Sequence, residues 1–140
     1  MQRFLNYLPK KKGKVEWVSA PDIKKKVAKL ISNLDINWVK KSRLFCYRSY
    51  GAKTYARARI WGLVKIWQKA LKVEPAYILE VISENYDHLS SSEQEETLLH
   101  ELAHIPSNFS GSLIPHFRKG KRNFRDRVKR LVVQYKGKNI

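Results

Sequence analysis

From Ser90 to Pro106 this chain has little choice of conformation. Ser90/Glu93, Ser91/Gln94 and Ser92/Glu95 each set a hydroxyl three residues ahead of a Glu or Gln, so a capped helix start is predicted in any of three registers. Leu98, Leu102 and Ile105 then recur on one face as a core stripe. Pro106 lacks an N–H and clashes with the carbonyl four residues back, which ends the helix. Just upstream, Tyr77 to Ser83 reads as a strand, β-branched and bounded by Pro75 and Asn85.

That helix carries His100-Glu101-Leu102-Ala103-His104, the pattern H-E-x-x-H. Residues four apart on a helix lie roughly 40° around the axis and about 6 Å along it. Both imidazoles therefore reach one metal ion, and Glu101, about 100° from His100, points towards where a metal-bound water would sit. A carboxylate so placed can take the proton of that water, the arrangement of zinc peptidases. A catalytic zinc takes three protein ligands and leaves one position open. Two other histidines exist, His88 and His116. His116 follows a Gly-containing loop that can fold back under the helix; His88 precedes the cap, too far along the axis to join easily. Asp126, alone among basic residues, is the acidic candidate for the third position. A second oxyanion donor is sought among Tyr86, His88 and Arg118, which lie near the site elements in sequence.

Charge narrows the partners. In 140 residues, 29 Lys+Arg against 12 Asp+Glu leave +17. Such an excess favours polyanions, nucleic acid above all, through counterion release, without implying sequence specificity. Between Val73 and Phe117 there is no lysine or arginine, while eight of the acids fall there, a stretch suited to holding a cation. One cysteine, Cys46, excludes an internal disulfide or a multi-cysteine zinc cluster and fits a reducing compartment. The N-terminus has no apolar signal core and no run is long enough to span a membrane. The expectation is a cytoplasmic protein, nucleoid-associated if its charge serves nucleic acid, with no membrane partner and an oligomeric state left open.

The length suits one domain over residues 1–140. Residues 1–14 read as a basic arm or a loosely held strand. A helix follows Ser19 as N-cap and Pro21 in its first turn, burying Ile23, Val27, Leu30, Ile31 and Leu34. Arg43 to Tyr50 and Tyr55 to Trp61 are predicted strands, and Leu63 to Leu71 a short helix. A basic amphipathic helix over about 123–135 closes the chain, with Phe124, Val128, Leu131, Val132 and Tyr135 inward. Trp61, Trp67, Tyr47 and Tyr50 could stack on bases, but core packing is the favoured reading of these aromatics.

Leu99 to Pro106, then Phe109-Ser110-Gly111 and His116, resemble the archaeal and phage metallopeptidase family, itself similar to SprT-like zincins. Tyr55 to Gly62 with Ile66-Trp67, and Tyr77 to Ile82, resemble it too, so the likeness spans about residues 42–116. The resemblance implies an α+β, minimal zincin-like fold: a small mixed sheet packed on helices that include the H-E-x-x-H helix. It implies His100, His104 and His116 as Zn2+ ligands, Glu101 as base, and a peptide or protein substrate aligned on an edge strand, here Ala76 to Ser83. SprT-like proteases of DNA–protein crosslinks often add a cysteine-built DNA module, which one cysteine rules out here. Nucleic-acid contact would then fall to the basic flanks, with DNA-associated proteins as the expected targets of the peptidase. The rival reading is a basic nucleic-acid-binding protein whose metal site is structural or inactive.

Overall fold

The computed structural model describes residues 14–116 and 124–138. Most of the basic arm, and Arg118, lie outside the described residues. The order is β1 (Glu16–Ser19), α1 (Pro21–Asn33), a 3-10 turn (Lys41–Arg43), β2 (Leu44–Tyr50), β3 (Ala58–Gly62), α2 (Lys65–Leu71), β4 (Tyr77–Ile82), α3 (Ser83–Tyr86), α4 (Ser91–Leu102) and α5 (Phe124–Lys138). The fold is α+β, a four-stranded mixed sheet with five helices among the described residues, in keeping with a minimal zincin. None of these helices is long and apolar enough to cross a membrane.

The sheet runs β1-β2-β4-β3, with β2 and β4 parallel and the outer pairs antiparallel. β4, the most apolar segment, is flanked on both sides. The expectation of an edge strand at Ala76 to Ser83 is therefore wrong. Strands buried on both flanks read as continuous apolar runs, whereas edges carry charge. The edge beside the site is β3, which holds Arg59 and pairs only with β4 among the described residues.

One face of the sheet meets the helices. Leu44, Cys46, Ala58, Tyr77, Leu79 and Val81 pack against Ile23, Val27, Leu30 and Ile31 of α1 and against Leu98, Leu99 and Leu102 of α4. Each fully buried leucine here stabilises the fold by about 2 kcal/mol. Arg48, buried in β2, donates to Asp87 at 2.7 Å and to Asp22 at 3.1 Å, tying α1 to the turn after α3. Glu80 is buried on the other face, accepting from Arg59 at 2.9 Å and from the Trp61 indole at 2.8 Å.

Three local expectations shift. Ser19 ends β1, so the α1 cap is Ala20 with Pro21 at the first helical position. α2 buries none of its residues. Trp61 and Trp67 stand 47% and 57% exposed, not in the core, because β3 is an edge and α2 lies on the surface.

Candidate metal centre

Helix α4 starts in the first of the three capping registers. The Ser90 hydroxyl accepts from the Glu93 N–H, and the Glu93 carboxylate accepts from the Ser90 N–H, both at 3.2 Å. The α-helix ends at Leu102, one turn short of the proline. His104 and Ile105 donate their N–H groups to Glu101 and Leu102, three residues back, at 3.1 Å. The tightening is what a proline demands of the turn before it. It leaves the rings of His100 and His104 5.3 Å apart.

His116 comes from the following loop, and the loop is pinned at three points. Ile114 donates its N–H to the His104 carbonyl at 2.8 Å, and its own carbonyl accepts from His104 Nδ1 at 2.5 Å. A carbonyl can only accept, so Nδ1 carries the proton and Nε2 keeps its lone pair. Tyr77 of β4 donates its hydroxyl to the Ser112 carbonyl and accepts from the Gly111 N–H, at 2.7 and 2.8 Å. Gly111 has φ +97°, and a Cβ there would overlap the Leu63 carbonyl and the Gln68 amide, so glycine is required.

His100, His104 and His116 offer ring nitrogens that all lie within 4.8 Å of one another. The Nε2 atoms of His100 and His116 are 3.2 Å apart. Two nitrogens on one tetrahedral zinc would stand about 3.3 Å apart, given Zn–N bonds of about 2.05 Å. Donor type, number and spacing thus fit a zinc ion.

The electrostatics agree. Burial, then the neighbouring His104 and His116, push His100 down to about 4. Burial also lowers His104, opposed by its bond to Ile114 and aided by His116. Both rings are thereby held in the neutral form that binds metals. Burial alone pushes the Glu101 carboxyl up to about 8. Its Oε2 lies 4.0 Å from His100 Nε2, facing the same cleft. A cation at the histidines would reverse that shift and ionise it.

The cleft, about 920 Å3, lies between β3 and α5; Ile60, Leu113, Val128 and Val132 give it apolar walls. Arg57 and Arg59 line it as well, so the stretch free of cations in sequence is not free of them in space.

Other candidates fall elsewhere. Tyr86 is fully buried outside the cleft, its hydroxyl without a hydrogen-bond partner among the described residues, and its position away from the cleft keeps it from serving as an oxyanion donor. It follows β4 directly, and the short α3 turns it into the core. His88 sits near Glu93, at the far end of α4 from the imidazoles. Asp126 is exposed on α5, beside a surface hollow with Trp38 and Arg127 rather than with the histidines.

Two residues of α5 were not foreseen in these roles. Phe124 is buried, stacked on His104 at 4.0 Å and edge-on to His100 at 4.8 Å and His116 at 5.1 Å. Arg127 donates to the carbonyls of Ala103 and Ile105 at 2.9 and 2.7 Å, satisfying the open C-terminal end of α4. A cation in a C-terminal amphipathic helix was the signal for Arg127. Nothing in sequence marked Phe124 beyond its apolar helical spacing.

No curated protein and no solved structure matches the chain. A family model described as "Putative phage metallopeptidase" matches residues 15–136, from β1 through most of α5. The three-imidazole cluster and the buried carboxyl lie inside that span, and the chain belongs to this metallopeptidase family.

Proposed function

We propose that this metallopeptidase is zinc-dependent and hydrolyses peptide bonds with Glu101 as general base. The observation that carries the reading is the convergence of His100, His104 and His116 beside a buried carboxyl at the floor of an apolar-walled cleft. Three imidazoles suit zinc over magnesium or calcium, which prefer oxygen ligands. When bound, zinc supplies Lewis acidity, polarising the scissile carbonyl and lowering the pKa of water to about 7.

The chain's own residues do the rest. His104 is oriented by Ile114, and Phe124 packs the three rings so that their nitrogens stay converged. Glu101 takes a proton from the attacking water and delivers it to the leaving amine nitrogen. The carboxylate lies buried beside the imidazoles, where a cation held there keeps it ionised, the form that accepts a proton. A substrate backbone in extended form would lie along β3, the edge strand whose Ala58, Arg59 and Ile60 line the cleft after Ala56 and Arg57 of the preceding segment.

The +17 charge supports an auxiliary property, non-specific contact with nucleic acid, which would bring the peptidase to DNA-associated proteins. Non-specific binding of this kind weakens steeply as salt rises. A purely nucleic-acid-binding role leaves the buried carboxyl beside three imidazoles without a purpose.

The Glu101→Gln variant tests the reading. Zinc content should stay at the wild-type level while casein cleavage falls by about 100-fold or more, the scale of a lost general base. Equal turnover in that variant would remove Glu101 from the reaction.

A further inference from the structure

The cleft does not end at the histidines. A second hollow, about 600 Å3, opens beside His100 and His116 and shares Val128 and Val132 with the first. The two share His100, His116, Val128 and Val132, and we take them as two halves of one groove about the metal centre, one towards the β3 edge and the other along α5.

Its two halves differ in charge. Along α5, Arg125, Lys129 and Lys136 stand at i, i+4 and i+11, so helical geometry sets all three exposed cations along one edge of the groove. Val132, Val133 and Phe124 give this half its apolar floor, and no carboxylate lines it among the described residues. The β3 half is mixed: Arg59 is already paired with Glu80, and Glu93 and Glu96 face Arg57 across it. Cations of one sign beside apolar walls focus their field into the groove.

We propose that the α5 half of the groove is a substrate subsite selecting acidic peptide segments with apolar side chains interspersed. Arg125, Lys129 and Lys136 pair with the carboxylates, and the valine floor takes the apolar side chains. The proposal rests on the peptidase reading of the metal centre. A peptide fits better than a nucleic acid because, among the described residues, this half offers bases no free Trp, Tyr or Phe face: Phe124 is buried against His104, and the other rings, His100 and His116, belong to the metal centre.

The test uses the zinc-loaded full chain carrying Glu101→Gln, with binding read by fluorescence anisotropy near physiological salt. The probes are a peptide with Glu and Val alternating on one flank, a matched peptide with Lys in place of Glu, and a single-stranded oligonucleotide of similar length. The acidic peptide should bind about tenfold tighter than its Lys counterpart. Adding Lys129→Glu and Lys136→Glu should invert that preference with zinc content unchanged, because both side chains are exposed. Equal affinity for the two peptides, or a preference that survives the charge reversal, overturns the proposal. So does an oligonucleotide that binds tighter than the acidic peptide and loses affinity with the same substitutions. Zinc-dependent cleavage by the wild type with no acidic preference refutes the subsite and leaves the peptidase standing. Acidic preference in binding with no cleavage of any peptide supports the subsite and refutes the peptidase.

Discussion

His104 and Ile114 grip each other twice, N–H of Ile114 to C=O of His104 at 2.8 Å and Nδ1–H of His104 to C=O of Ile114 at 2.5 Å. The pair works like one rung of a ladder between the end of α4 and the loop that carries His116. One contact sets the tautomer of a ring, and the other sets the height of the loop. The metal centre thus depends on the loop's backbone as much as on its histidine.

Gly111 is where that dependence can be tested. A methyl there collides with the Leu63 carbonyl, and the residue's φ of +97° is strained for any other side chain. Gly111→Ala should lower unfolding free energy by about 2 kcal/mol and shift Ile114 and His116 together. Zinc affinity, titrated with a chromophoric chelator, should drop about tenfold or more, the scale of a disturbed supporting contact. Wild-type affinity in a folded variant would show that the loop does not position His116.

Acid stability should follow the buried carboxylates together with His100 and His104, which stay neutral in the fold and take up protons below their ordinary 6.5 once it opens. Burial would raise the Glu80 carboxyl, but hydrogen bonds from Arg59 and Trp61 outweigh it and hold it below its usual 4.5. Burial likewise opposes, and Arg48 overrides, at Asp22, held below 3.8. A carboxyl depressed in the folded state stabilises above its unfolded pKa and loses that contribution as pH falls through the folded value. The carboxylate contribution should therefore be lost below about pH 4.5, beneath the decline that the two imidazoles begin near 6.5, and the slope in that lower range should flatten in Glu80→Gln. That variant should also lose about 2–3 kcal/mol at neutral pH, since Arg59 keeps a partly buried charge without its partner. An unchanged acid slope in the variant would remove Glu80 from the balance. Melting curves from pH 3 to 7 decide this.

Much of this architecture was legible because it rests on local chemistry. The Ser90 cap, the Pro106 stop and the apolar run of β4 each have a short-range cause; the cap and the strand lie where expected, and the helix stops one turn ahead of the proline. The H-E-x-x-H spacing likewise survives a helix that ends at Leu102. What escaped depends on pairing across the chain. Ala76 to Ser83 looked like an edge only because its neighbours in the sheet come from distant segments, β2 and β3. Tyr86 is close to the site in sequence, yet a four-residue helix turns it inward. Phe124 and Arg127 act on the end of α4 and His104 from 20 or more residues away, and no spacing rule spans that distance. Arg48 read as an ordinary strand residue until Asp22 and Asp87 closed on it.

Zinc content, chain by chain, is the most direct measurement. The wild type, purified, stripped with a chelator and reloaded, should hold one zinc per chain by elemental analysis. His100→Ala, His104→Ala and His116→Ala should each hold far less at the same free zinc, whereas His88→Ala should match the wild type. Full zinc in all three of the first variants, or a loss in His88→Ala equal to theirs, would contradict a centre built on those three imidazoles.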